Sequence, residues 1–159
     1  MLLADRLPPT STRVQRSTGE RINRRIRAED DARIARLERA ARAELDARLA
    51  ELDFEWDIER LLQLNASALI VLGTLLGATV DRRFLVLPSA VLVFFAQHAL
   101  QGWCPPIPVF RRRGVRTVRE IERERYAIKA LRGDFDRIPG ADAAVPRARV
   151  RAILDAVDR

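Results

Sequence analysis

The sequence predicts an all-α integral membrane protein: a two-helix transmembrane hairpin with a long N-terminal amphipathic helix and C-terminal cytosolic helices. Three observations predict it. Residues 61–101 hold only three formal charges, and these sit together at Asp81, Arg82 and Arg83. On either side of that cluster, LLQLNASALIVLGTLLGATV and FLVLPSAVLVFFAQHALQ run 20 and 18 residues without a charge. The flanking segments hold almost all of the chain's 29 basic and 22 acidic residues.

Taken in order, residues 1–19 contain Pro8, Pro9, Ser and Thr without apolar periodicity and read as a disordered tail. No apolar core of a secretory signal is present there. An uninterrupted helix is expected over 20–60, with Ile34, Leu37, Ala41, Leu45, Leu49, Leu52 and Trp56 on one stripe. Their spacing is close to an 11-residue repeat, the period of a straight or slightly right-handed helix pair. The acidic run Glu51, Asp53, Glu55, Asp57 and Glu59 belongs to a solvated or salt-bridged face, with the arginines of 110–116 as its expected partners.

The hairpin is placed at 61–101, with spans at 61–80 and 84–101. As helix, 20 residues cover about 30 Å, the thickness of a bilayer's hydrocarbon core. Each span contains ten residues of the Leu, Ile, Val and Phe set, which favours insertion by about 3–6 kcal/mol per span. A buried helix of a soluble protein normally keeps a charged stripe, and these two have none. Pro88 lies in the first turns of the second helix, so its ordered part is expected to begin near Leu87. Residues 102–132 form a Cys-Pro turn, irregular through three prolines, and then a basic helix from about Val115 to Leu131. Residues 133–159 are a loop and a short helix starting near Pro146, striped by Val150, Ile153, Leu154 and Val157.

Arginine placement orients the hairpin. Arg42, Arg48 and Arg60 precede it, Arg111, Arg112, Arg113, Arg116 and Arg119 follow it, and the turn carries only Arg82 and Arg83. The positive-inside rule then places both termini in the cytoplasm. Trp56 and Trp103 stand just beyond the apolar segments as interface anchors, and Arg111, Arg112, Arg113 and Arg116 are placed against lipid headgroups. The net charge of +7 therefore reads as membrane topology rather than nucleic-acid binding, because the N-terminal helix is charge-balanced. With one cysteine and one histidine there is no intrachain disulfide, no His/Cys metal site, and no cofactor is expected.

Gly73 and Gly77 form a GxxxG pattern that lets helix backbones approach closely, within the hairpin or between copies, and self-association is the favoured use. Asn65, Gln97, His98 and Gln101 cluster toward the end opposite the turn, as polar residues hydrogen-bonded across the hairpin. Cys104 is the one candidate reactive group, with nearby arginines favouring thiolate and His98 the nearest base; a thiol packed in a proline-kinked turn is its simpler reading.

Gly102-Trp103-Cys104-Pro105, then Gly114-Val115-Arg116-Thr117, after a hairpin with Asn65 near the start of its first span, resembles the YgaP-like inner-membrane domain family. The resemblance covers about 64–117 and implies a bacterial inner-membrane hairpin that can dimerise. The family's Asp-Arg element after its Asn is replaced by Ala66, Ser67 and Ala68, and neither arm has the length or βα alternation of a rhodanese domain. The expected function is a non-enzymatic inner-membrane scaffold or anchor. Its partners would be the bilayer, further copies of itself, and a membrane or cytosolic protein complex. The alternative is a redox or sulfur-handling accessory using Cys104. Solute transport is disfavoured, because neither span holds an acid or base near its centre.

Overall fold

The computed structural model of the chain describes residues 7–136, 138–140 and 146–158, with side chains from residue 148 onward in the last segment. All regular structure among them is helical. A 3-10 turn at Thr10–Thr12 leads into α1 (Arg13–Arg16), then α2 (Glu20–Leu37), α3 (Arg42–Phe54) and α4 (Ile58–Thr79). A second 3-10 turn, Arg82–Leu85, joins α4 to α5 (Val86–Gln101), followed by α6 (Ile107–Arg112), α7 (Val118–Leu131) and α8 (Pro146–Asp158). The chain divides into two units, Met1–Glu29 with Trp56–Ile121 and Asp30–Glu55 with Glu122–Arg159.

In the first unit, α4 and α5 make the hairpin. Asp57 caps α4, its carboxylate accepting from the Arg60 N–H at 3.0 Å, a contact worth about 1 kcal/mol. At the turn, Asp81 accepts from the Arg83 N–H at 2.8 Å. Two glycines set the helix spacing. A Cβ at Gly73 would stand 2.6 Å from the Pro88 ring, and one at Gly77 would stand 2.5 Å from the Leu85 side chain. Within the chain, the GxxxG pattern packs the hairpin on itself. Pro88 sits at the third position of α5, where its missing N–H has no intrahelical carbonyl to reach. Stretches within Arg42–Thr79 and Arg82–Gln101 are long and apolar enough to cross a membrane, and only 22% and 11% of them are buried.

α5 ends at Gly102, whose φ of 76° is left-handed. A side chain there would also strike the backbone of Arg13, 2.4 Å from a built Cβ. Only glycine satisfies both demands. The close approach of Arg13 corrects the expectation of a disordered tail over 1–19, of which residues 1–6 lie outside the described residues. Val14 is buried with Ile58, Leu62, Cys104 and Ile107 in the core of this unit, Phe110 and Val115 packing against it. One apolar anchor is enough here because polar contacts flank it: Gln15 Nε2 donates to Thr117 Oγ1 at 2.7 Å and Ser17 Oγ to the Gln101 carbonyl at 2.9 Å.

The helix expected to run unbroken over 20–60 is three helices, with extended residues at Ala41 and Glu55. The second unit supplies one reason. Arg33 on α2 lies 3.6 Å from Glu124, and Arg48 on α3 reaches the same carboxylate at 2.9 Å. Fifteen residues apart in one helix, the two arginines would be separated by about 22 Å, so only a break lets both reach Glu124, which is fully buried. The second break starts α4: the Ile58 N–H donates to the Arg116 carbonyl at 2.9 Å instead of continuing α3.

Three members of the acidic run pair within their own units. Asp53 pairs with Arg125 at 2.6 Å, Glu51 with Arg48 at 2.8 Å, and Glu59 with Arg13 at 2.8 Å. In the C-terminal part, Arg132 Nε donates to both oxygens of Asp134 at 3.0 Å, and Lys129 Nζ donates to the Val157 carbonyl. The loop expected before α8 includes residues 137 and 141–145, which lie outside the described residues.

Candidate functional site

The chemistry-bearing side chains of the first unit gather at the base of the hairpin, opposite the turn. His98, 3% exposed, lies one turn before the end of α5. Its Nε2 donates to Glu59 Oε2 at 2.7 Å, and Arg13 Nη2 donates to Glu59 Oε1 at 2.8 Å. One carboxylate therefore ties α4, α5 and α1 together. The other ring nitrogen, Nδ1, is buried and has no hydrogen-bond partner among the described residues. The expectation that His98 bonds Gln97, Gln101 or Asn65 is corrected. Gln101 contributes its backbone carbonyl to Ser17, and Asn65 is exposed on the hairpin surface.

A second node lies beside α6. Arg111 is fully buried. It holds Glu120 in a two-pronged pair, Nη1 to Oε2 at 2.6 Å and Nη2 to Oε1 at 2.7 Å. It also donates to the Val115 carbonyl and to Asn23 Oδ1, both at 2.9 Å. Such bidentate charge-assisted pairing is the strongest hydrogen bonding available to an arginine. Burial pushes the Glu120 carboxyl up, but the hydrogen bonds from Arg111 and from the Thr117 backbone outweigh it and hold the group below the usual carboxylate range. Thr117 and Glu120 also form a capping box: the Thr117 N–H donates to Glu120 Oε2 at 2.8 Å and the Glu120 N–H to Thr117 Oγ1 at 3.4 Å.

Of the four arginines placed against lipid headgroups, Arg111 and Arg116 are buried, at 0% and 3% exposure, and are corrected to interior positions. Arg112 and Arg113 are exposed. Each indole has a close side-chain neighbour. Trp103 meets Phe94 edge-on at 6.4 Å, and the Arg60 guanidinium lies 4.4 Å above the exposed Trp56 ring.

Cys104 is a free, buried thiol, and burial pushes its pKa up, opposite to the thiolate that nearby arginines would favour. His98 directs its bonded nitrogen at Glu59. Among the described residues, no group of three His, Cys, Asp or Glu side chains could hold a metal ion.

Sequence reasoning missed Arg13, Asn23, Glu59 and Glu120 as members of these nodes. One of them carried a readable signal, since Thr117-Val118-Arg119-Glu120 is the S/T-x-x-E capping pattern. The others pair across 39 to 88 residues of chain.

Fold and site together describe an all-helical chain with two helices able to cross a membrane, joined at their base by the partly buried Glu59 carboxylate. Comparison with protein-family models, curated protein sequences and solved structures finds no match for this chain. The resemblance to YgaP-like hairpins rests on the residues quoted for it alone.

Proposed function

We propose that the chain is a non-enzymatic scaffold or anchor of the bacterial inner membrane. Its hairpin crosses the bilayer with both termini in the cytoplasm, and it associates with further copies or a partner complex through its cytosolic helices. The observation that carries this reading is the exposure of the two apolar helices. A core helix of a soluble protein is mostly buried, whereas Leu64, Val71, Leu75, Val86 and Val93 are each more than half exposed. Hydrocarbon is the solvent that such surfaces fit. Gly73 and Gly77 are used within the hairpin, so association falls to other surfaces. Val150 and Leu154, one turn apart and both exposed on α8, supply one. The buried thiol of Cys104, with its raised pKa, favours the scaffold reading over sulfur chemistry.

The test is fractionation with alkaline carbonate, followed by labelling with an impermeant maleimide in a Cys104→Ser background. The chain should stay with the membrane, and Arg82→Cys should label from outside while a cysteine at Thr10 should not. Release by carbonate would overturn the membrane reading, and labelling at Thr10 instead would invert the topology. Two differently tagged copies should co-purify in mild detergent; recovery of one tag without the other would remove self-association.

A further inference from the structure

Gly73 and Gly77 hold α4 and α5 in contact near the turn, but toward the base the two helices part around a cavity of about 270 Å³. Leu62, Ala66, Ala90 and Phe94 form its walls and Pro106 part of its floor. It opens on the hairpin surface because Ala66 and Ala90 are too short to fill it. Apart from Asn65 and Cys104 its lining is apolar, and under the membrane reading the hydrocarbon chains of the bilayer are what stands against such a groove.

One polar side chain lines the cavity, and two exposed cations follow its last lining residue in the chain. Asn65 lines the cavity, is exposed, and makes no side-chain hydrogen bond among the described residues. It lies four residues into the span, about 6 Å inside the hydrocarbon edge. An amide with no partner at that depth is costly. Beyond the floor, α6 carries Arg112, and Arg113 follows it; both are exposed and form no ion pair among the described residues. Arg25 Nη2 donates to the Arg112 carbonyl at 2.6 Å while its own charge is paired with Glu29 at 3.5 Å, which leaves Arg112 and Arg113 as the cations available there.

Resting on the membrane reading above, we propose that this groove binds one anionic phospholipid, an acyl chain in the cavity, an ester carbonyl accepting from Asn65 Nδ2, and the phosphate against Arg112 and Arg113. A basic cluster beside an apolar slot is the complement of that amphiphile.

The experiment uses the full chain purified from membranes in mild detergent, with phosphatidylglycerol and phosphatidylcholine of matched chains as probes. Native mass spectrometry should retain one phosphatidylglycerol per chain, and the same lipid should raise the melting temperature more than phosphatidylcholine does. Arg112→Gln with Arg113→Gln should reduce the preference for phosphatidylglycerol about thirtyfold. Ala66→Phe, which fills the groove, should abolish retention without lowering the melting temperature. Asn65→Leu serves the same end where Ala66→Phe lowers the yield of folded protein. Equal retention of the two lipids, or undiminished retention in the filled variants, would overturn the site. So would loss of a dimer on filling with lipid binding unchanged, which would make the groove the seat of a second copy. Carbonate extraction of the chain would remove the membrane reading as well, whereas a membrane-retained chain that treats both lipids alike removes only the site.

Discussion

His98 Nε2 lies 2.7 Å from Glu59 Oε2 across the base of the hairpin, and the other oxygen of that carboxylate holds Arg13. The pair joins two helices and, through Arg13, the N-terminal segment. Glu59→Ala leaves a buried imidazole and a partly buried guanidinium without their acceptor. Hydrogen bonds to charged groups contribute about 1.5–3 kcal/mol, and a loss of stability on that scale is expected in detergent melts. Trypsin should cut at Arg13 and Arg16 faster in the variant. Unchanged cleavage would show that Val14 and the bonds of Gln15 and Ser17 hold the segment without Glu59.

The glycines of the hairpin should differ in their tolerance of alanine. At Gly73 the new Cβ meets the rigid ring of Pro88, and overpacking of that kind costs about 1–3 kcal/mol. At Gly77 the new Cβ meets Cγ as well as Cδ2 of Leu85, at 2.7 and 2.5 Å, with the Leu85 backbone nitrogen at 3.3 Å, so rotation of that side chain relieves only part of the clash. The helix propensity gained over glycine, about 1 kcal/mol, should leave Gly77→Ala less costly than Gly73→Ala but not neutral. Melting temperatures rank the two, and the oligomeric state should be unaffected in both; a lost oligomer would return the GxxxG pattern to the interface between copies.

Arg111→Ala removes one half of a buried ion pair and strands Glu120. Breaking such a pair costs about 3–5 kcal/mol, among the largest single-residue effects expected in the first unit. Arg112→Ala and Arg113→Ala, on the exposed side of the same segment, should change stability by less than about 0.5 kcal/mol. Equal effects at the three positions would contradict the buried placement of Arg111.

Acid should destabilise the fold through Asp134 and Glu120. Hydrogen bonds from Arg132 hold the Asp134 carboxyl below its usual value, and burial of Glu120 is outweighed by its bonds to Arg111 and Thr117. Both are depressed in the folded state. Their contribution is complete above the unfolded-state pKa near 4 and drains away as pH falls through the folded-state values. Melting temperatures measured between pH 7 and pH 3 should fall, and Glu120→Gln with Asp134→Asn should flatten the acid limb. An equally steep fall in the double variant would assign the acid loss to other carboxylates.

The two apolar helices were legible because hydropathy and length are properties of contiguous residues, and the turn at Asp81–Arg83 was marked by the only charges between them. α7 was legible for the same local reason, its end signalled by Leu131 before Gly133. The arginine run of 111–116 shows where local reading stops. As a string it looks like a solvated basic patch, yet Arg111 is enclosed because Asn23, Val115 and Glu120 converge on it from three other positions in the chain. The same holds for Val14, a lone apolar residue in a polar stretch.

By itself the sequence determined the two apolar helices of the hairpin and the helices α7 and α8, since propensity and hydrophobic run length act within a few turns, but not α1, α6 or the breaks between α2, α3 and α4. Tertiary structure decided which charges are interior, that the GxxxG glycines face Pro88 and Leu85 within the hairpin, that α2 and α3 separate so that Arg33 and Arg48 share Glu124, and that His98 pairs with Glu59. Each of those outcomes depends on groups far apart in the chain. Their cost of burial is offset only when the folded backbone brings the partners within hydrogen-bonding distance.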